Sequence, residues 1–554
     1  MPVGLSFLPL VVISASAVQD PAPVLANART PEGRAILLRF QYRKGLSVEG
    51  KVLPRAFLAK GADPSGWVPF ESLSPEGKRW ALAALFPADQ WRQDEVRHYV
   101  RHPEVESVWT MAALFTGHGQ NYDRLGSENP DQPEKLREGD IWRIPRSLLS
   151  ADLGGTGRAP DRSQPEDDLD DEARVAAYRG LLSFGEDAQG KYAAYRMRKA
   201  EALYSSVVIR YTDRVDPKGV NELADVIARR SGIMDVRGIQ PGQLIKIPVS
   251  FLADPFQSEG SSALAEEREV RAEVRRTVRV EAGPKLKGVR IVLDAGHGGV
   301  DSGARANGIW ESDFVYDIAM RVRRLLEQET EAQVSSTIRY PSLGFTSREE
   351  IHTPSRAAEI LTTPPFAVDG DSPSAVSVHL RWVLANDLFA SFRKAKGEAQ
   401  KTLFLSFHAD SLHPSARGSM IYVPGAALVP TTFALGGAKT GRVAEAQHSA
   451  RVSFTGREKL QGEARSRQFS ETLLKALQKD HIPVHANRPI RNVIYRGGGK
   501  WVPAVIRYST GATKALIEVA NLTNEEDAAS LRDPGFRERY AAAVVNAIRA
   551  YYRK

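Results

Sequence analysis

Two histidines and two glutamates stand where a folded chain would hold them still: His297, Glu311, His408 and Glu518. His297 lies inside Gly296-His-Gly-Gly299, directly after the apolar run Ile291-Val-Leu293 and Asp294. His408 ends the apolar run Thr402–Phe407, and Glu518 stands near the end of Lys514–Val519. Glu311 opens a stretch with Phe314, Ile318, Val322 and Leu325 at helical spacing. An imidazole on a glycine turn at the carboxyl end of a buried strand sits where open α/β sheets bind their ligands. If the strands run parallel, all four groups meet at one edge of the sheet. Two imidazoles and a carboxylate leave one position open on a tetrahedral zinc ion, the catalytic rather than the structural pattern. Water in that position titrates near ~7 rather than ~15.7, and a second carboxylate can accept its proton. A glutamate at the inner end of an apolar strand is costly to bury unpaired, and such water is a sufficient partner. Each residue alone has a plainer explanation: a hydrogen-bonded histidine, a helix-start acid favoured by the dipole, or a salt-bridged glutamate. Only the joint pattern separates a metal site from four structural residues.

The elements that would position these groups follow from the pattern of the C-terminal half. Strand-like runs are 289–293, 334–339, 402–407, 419–423, 504–508 and 514–519; helix-like runs are 312–327, 377–394, 463–478 and 536–552. Leu403-Phe-Leu-Ser-Phe407 and Ala515-Leu-Ile517 are mostly apolar, as strands buried on both faces must be. The alternation predicts an α/β domain over 288–554, with a mixed, mostly parallel sheet and helices on both faces. Two insertions interrupt it, Pro341–Ala375 and residues 424–461.

The chain has 554 residues, too many for one core. It has no cysteine, which excludes disulfides, thiolate zinc sites and cysteine nucleophiles, so any metal must use histidine and carboxylate. Lys+Arg 75 against Asp+Glu 67 gives +8, a mild excess compatible with an anionic polymer or with simple solubility. No basic run interleaved with aromatics marks a nucleic-acid face, so no nucleic-acid partner is expected. Residues 1–17 have an apolar core, Leu5 to Ile13, and the small-x-small pattern Ala15-Ser-Ala17, the layout of a signal peptide. No later stretch reaches the ~20 apolar residues of a spanning helix, so no transmembrane segment is expected. Residues 21–30 read as extended; 31–40 and 74–86 show helical periodicity, Trp80, Leu82, Leu85 and Phe86 sharing a face in the second.

A weak internal repeat lies upstream. Leu136-Arg-Glu-Gly139-Asp-Ile-Trp-Arg-Ile144-Pro145 and Ile239-Gln-Pro-Gly242-Gln-Leu-Ile-Lys-Ile247-Pro248 each place a turn glycine before an alternating strand closed by Ile-Pro. Helical patterns precede both: Val108–Phe115 with Tyr122 and Leu125, then 202–209 and 220–227. Two helices followed by that strand resemble LysM modules, which bind N-acetylglucosamine-containing wall glycan. The resemblance covers about 104–148 and 193–250. The first copy lacks an obvious opening strand, and the second has Lys199-Ala-Glu-Ala202 where the family has Gly-Asp-Thr. The expected organisation is a signal peptide (1–17), an N-terminal region ending in the first small α+β module (28–150), an acidic linker (151–190), the second module (191–252), a charged connector read as a spacer (253–287), and the α/β domain.

That domain also resembles the zinc-dependent N-acetylmuramoyl-L-alanine amidases of cell-wall turnover. The motifs are Leu293-Asp-Ala-Gly-His-Gly-Gly299, Asp301-Ser-Gly-Ala304, Glu311, Leu380-Arg381 with Ala385-Asn386, Leu405-Ser-Phe-His-Ala-Asp410, Arg417-Gly418, and Ala515-Leu-Ile-Glu-Val-Ala-Asn-Leu-Thr-Asn524. One departure is Val519-Ala-Asn521, where the family usually has Thr/Ser-Gly-Phe. The resemblance implies one Zn2+ held by His297, Glu311 and His408, with Glu518 as catalytic base. It implies hydrolysis of the amide between N-acetylmuramic acid and L-alanine in peptidoglycan by an exported protein of the periplasm or cell wall. His413, close after His408, is a candidate to line the cleft. It also raises a regulatory reading of 424–461, in which Glu445 or His448 covers the metal until an activator protein removes it; a surface loop is the alternative. Other readings of the whole chain are a catalytically silent wall-binding scaffold and a zinc peptidase acting on stem peptides.

Overall fold

Ile291, Val292 and Leu293 are fully buried in the computed structural model, as a strand covered on both faces requires. They belong to β1 (Arg290–Ala295), which lies in a six-stranded sheet with β2 (Gln333–Ser336), β3 (Thr402–His408), β4 (Met420–Tyr422), β5 (Ile490–Arg491) and β6 (Thr513–Glu518). The order is β2-β1-β3-β6-β4-β5. β2, β1, β3 and β6 are mutually parallel; β4 runs antiparallel to β6 and parallel to β5. The sheet is therefore mixed and mostly parallel, and the three strands that end near His297, His408 and Glu518 share one direction.

The structure describes residues 22–553 except 42–44, 60–61, 63, 118–120, 122–124, 127, 130, 133–135, 156–170, 199–200, 235, 237–238, 284, 353, 370–373, 437–441 and 497–498. The expected signal peptide, Tyr122 and most of the acidic part of the linker fall outside these residues. Two units are distinguished, Met1–Arg162 and Ser163–Lys554.

In the first unit, Val24–Arg29, Ala35–Gln41, Gly45–Glu49 and Trp67–Pro69 form an antiparallel sheet. The helical expectation for 31–40 is thus corrected. Ile36, Leu38 and Phe40 are buried, a period of two, which fits a strand with one face on a core. The helix over 74–86 is present as Pro75–Leu85, capped by Ser74 accepting from Gly77 N at 3.1 Å. The first repeat copy does have an opening strand: Glu95–Tyr99 pairs antiparallel with Ile141–Pro145. Its alternation is hidden in sequence because Glu95 and His98 are buried charged residues.

In the second unit, the second copy runs from strand Gly190–Arg196 through a π-helix (Leu203–Ile209) and helix Pro217–Arg230 to strand Leu244–Pro248, which returns antiparallel to the first. Gly139 and Gly242, the turn glycines of the two copies, have φ of 90° and 87°, a conformation that favours glycine.

The connector contains helix α1 (Ser262–Arg276), but it is not a free spacer. Glu267 is buried and ion-paired at 3.1 Å to Arg467 of the long helix α4. Gln468 Nε2 donates to Val274 O and Thr277 O at 2.8 and 2.7 Å. The main helices of the α/β domain are α2 (Glu311–Glu329), α3 (Ser374–Lys394), α4 (Gly456–Lys479) and α5 (Pro534–Tyr551). Ile291, Leu293, Leu405 and Ile517 pack in one core with Ile318 and Val322 of α2, Phe469 and Leu473 of α4, and Val544 and Ile548 of α5. Val292, Phe404 and Leu516, the alternate residues, pack on the other face with Ala385 and Phe389 of α3.

Two strand assignments differ from expectation. Residues 504–508 form a helical turn, Ala504–Arg507, started by Pro503, whose fixed φ suits a helix entry. The run 334–339 breaks in two: Ile338–Arg339 leaves the sheet and pairs with Ala358–Ile360, which pairs with Phe366–Val368 of the first insertion.

Candidate metal centre

Each of the four singled-out side chains is placed by a different local device. The penultimate residue of β1, Asp294, is fully buried and accepts from Arg381 Nη1 at 2.7 Å, Ser406 Oγ at 2.6 Å and Thr337 Oγ1. Burial works against this carboxylate, but Arg381 and the two hydroxyls hold it ionised, below the usual carboxylate range. The other end of the Arg381 guanidinium donates to His297 O. A buried ion pair thus fixes the backbone of the histidine turn. His297 itself has φ +60°, a sparsely populated conformation for a non-glycine residue and one that recurs at functional sites.

Glu311 reaches the same point through a hairpin. Arg305–Ala306 pairs antiparallel with Ile309–Trp310 across Asn307-Gly308, whose φ values of 49° and 68° are those of a tight type I′ turn. The turn folds the start of α2 back over the glycine loop. Ala304 N donates to Glu311 Oε2 at 2.8 Å, and Ala409 N donates to Oε1 at 3.1 Å. The Asn307-Gly308 pair is the sequence signal that marks this hairpin.

Three groups converge. Glu311 Oε1 lies 2.9 Å from His408 Nδ1 and 3.3 Å from His297 Nε2. The two imidazole rings are 5.1 Å apart at 80°. One donor atom from each of His297, Glu311 and His408 lies within 4.8 Å of the others. Two donors on a tetrahedral zinc with bonds of about 2.0–2.1 Å stand about 3.3 Å apart, and the two glutamate–imidazole distances lie near that value. Glycine makes the room: a Cβ on Gly296 would sit 2.3 Å from His408 Cε1, and one on Gly303 would sit 2.5 Å from Glu311 Oε2. His297 Nδ1 is 3.1 Å from Asp301 Oδ1, an outer partner of the kind that orients metal-binding histidines.

Glu518 pairs in register with His408, on the adjacent strand. Its Oε2 is buried with no hydrogen-bond partner. Burial, with Asp410 and Glu311 nearby, pushes its carboxyl well above the usual range. Burial and the Glu311 charge likewise push Asp410 up to about 7. Burial disfavours a charged His297, but Glu311 and Asp301 raise it to about 10. Burial likewise opposes the charge on Glu311, yet His297 and His408 hold it ionised below its usual range. Two imidazoles surrounded by Asp301, Glu311, Asp410 and Glu518 form a site that favours added positive charge.

His413 lies in the loop after His408, stacked on Tyr204 with centroids 5.4 Å apart at 11°. The placing of Glu445 or His448 over the metal, one element of the regulatory reading of 424–461, is corrected. Glu445 is half a turn into a short helix (Ala444–Ser449), where it accepts from Thr363 N at 3.0 Å and Thr363 Oγ1 at 2.9 Å. Neither it nor His448 belongs to the metal-type cluster found among the described residues. The insertion folds as the hairpin Thr432–Ala434/Arg451–Ser453 and packs Val452 and Phe454 around Trp382 and Val383 of α3.

Residues 291–550 match the family model described as N-acetylmuramoyl-L-alanine amidase. An endolysin of Bacillus phage SPP1 is 53% identical over 47 residues, which is 8% of this chain and 17% of that protein. The chain thus matches under a fifth of the length of this curated relative. Among solved structures, the N-acetylmuramyl-L-alanine amidase Ami1 of Mycobacterium smegmatis is 18% identical with a TM-score of 0.28, covering 48% of this chain and 98% of that one. The CwlD amidase of Clostridioides difficile, in complex with the GerS lipoprotein, is 16% identical with a TM-score of 0.29, over 48% of this chain and 98% of that one.

Proposed function

We propose that the amidase-family domain hydrolyses the amide joining the lactyl group of N-acetylmuramic acid to L-alanine in peptidoglycan, with one zinc ion held by His297, Glu311 and His408 and Glu518 as the base. The observation that carries this reading is the Glu311 carboxylate shared between two imidazoles, beside the unpartnered Glu518 oxygen. Zinc bound there supplies a Lewis acid for the amide carbonyl and lowers the pKa of a water to about 7.

The protein's own residues do the rest. Glu518, whose surroundings raise its proton affinity, takes the proton of the attacking water and passes it to the leaving alanine nitrogen. Asp294 and Arg381 keep the His297 turn in place, so that the imidazole needs no reorganisation. Glu311 is fixed by two backbone N–H groups, from Ala304 and Ala409. The strand–helix–strand repeat copies fit LysM-like wall-binding modules, and with an exported location in the periplasm or cell wall they would meet peptidoglycan where it is exposed. No helix among the described residues is long and apolar enough to cross a membrane.

Mass spectrometry of muropeptides released from purified sacculi tests the reaction. The expected products are free stem peptides beginning with L-alanine and glycan strands with unsubstituted lactyl groups. Cleavage inside the stem would identify a peptidase instead, and no release by zinc-loaded protein would favour a silent scaffold.

A further inference from the structure

The face of the sheet opposite α2 is not covered by α3 alone. Val292, Phe404, Met420, Tyr422 and Leu516 belong to one continuous apolar cluster with Val208, Tyr211 and Phe256, which flank and fill the second repeat copy. The junction also carries charge. Asp213, buried and with φ of 58°, is ion-paired to Arg488 and, at 3.0 Å, to Arg491 of the α/β domain. Leaving such a buried charge unpaired is costly, so the copy is fixed in register. A module that merely tethers an enzyme to its polymer has no need of a shared core.

The contact reaches the catalytic loop. Residues 409–416 follow His408 directly. On one side the segment after Glu518 grips them: Leu522 N donates to Asp410 O at 2.8 Å, and Asn521 Oδ1 accepts from Leu412 N at 2.9 Å. Asn521 Nδ2 donates to His413 O and Ala416 O at 3.1 and 2.8 Å. On the other side the repeat copy grips them. His413 N donates to Val215 O at 2.8 Å, and the His413 ring lies flat on Tyr204. Burial pushes that imidazole below the usual range.

We propose that the second repeat copy is a positioning part of the catalytic centre: Tyr204 and Val215 hold loop 409–416, and through it the end of the strand that carries His408. Tyr204 and His413 are positioning residues; neither is asked to touch the reacting atoms. The proposal rests on the amidase reading, and it separates from a tethering role by substrate size. A tether assists only on the polymer, whereas a positioned loop matters for any substrate.

The test compares full-length zinc-loaded wild type, Tyr204→Leu and Tyr204→Phe on intact sacculi and on a soluble N-acetylmuramoyl peptide with one sugar. Tyr204→Leu is expected to lower kcat on the soluble substrate on the order of tenfold with KM nearly unchanged. Tyr204→Phe keeps the flat ring and recovers most of that rate. A Tyr204→Leu defect seen on sacculi alone, or on neither substrate, overturns the proposal. Hydrogen exchange on the metal-free wild type gives a second readout that needs no activity. The amides of Leu412 and His413 are expected to exchange as slowly as those of β3; fast exchange overturns the proposal even if Tyr204→Leu fails to fold. If the wild type cleaves neither substrate, the amidase reading fails and the exchange result alone decides the positioning claim.

Discussion

Glu518 is the residue whose replacement separates chemistry from metal binding. Glu518→Gln keeps the shape and removes the base, so zinc content should stay at one per chain while kcat falls by about 10²–10⁴-fold. Loss of zinc together with activity would instead make Glu518 a ligand. Arg381→Ala acts differently, because it strands the fully buried Asp294 carboxylate. A cost of about 3–5 kcal/mol is expected, read as a drop in the denaturation midpoint together with weaker zinc binding. An unchanged midpoint would contradict the bracing role given to this pair. The places of His297, His408 and Glu518 could be read because each closes or follows an apolar run, and that of Glu311 because it opens an apolar helical stretch. The Asp294–Arg381 bond was not: both residues appeared in motifs, but a contact across 87 positions leaves no local trace.

At the scale of elements, period was a good guide for the long helices and the central buried strands, and a poor one in short pieces or where an extra apolar residue interrupts the alternation. The helix Pro75–Leu85 shows both its cap and its apolar face in the sequence. Residues 35–41 carry Ile, Leu and Phe at alternate positions with Leu37 between them, and this interruption imitates a helical face. Residues 504–508 are apolar enough for a strand, but Pro503 and the tertiary setting turn them into a helical entry to β6. The second insertion carries a further prediction. Deleting 442–450 removes Glu445 from Thr363 and uncovers the Trp382 side of α3, one position from Arg381. Amidase activity should therefore fall or stay level; a rise would restore the blocking role that the geometry does not support.

Across the whole molecule, the fold class of residues 288–554 could be read from alternation, whereas the integration of the second repeat copy could not. Its shared core uses ordinary apolar residues, and its buried ion pair joins positions 213 and 491. The first unit holds a charge device of its own. His98 is fully buried between Asp89, at 2.9 Å, and Glu106, at 2.8 Å. Burial opposes its charge, but the two carboxylates raise it to about 9. A raised folded pKa means this stabilisation is complete below about 6.5 and fades as pH rises through about 9, amounting to roughly 3 kcal/mol. Hydrogen exchange of Glu95–Tyr99 between pH 6 and 10, corrected for intrinsic rates, should show that decline, and His98→Gln should flatten it. Equal slopes in both proteins would remove the charged triad from the account.

The claim beneath all of these is that three side chains from distant parts of the chain hold one ion. Anomalous diffraction at the zinc edge, from crystals of the zinc-loaded protein, tests it directly. One strong peak is expected in the unit Ser163–Lys554, bonded to His297, Glu311 and His408 at about 2.0–2.2 Å, with Glu518 beside it and unbonded. A peak held by other residues, or none at this site at full zinc loading, would contradict it.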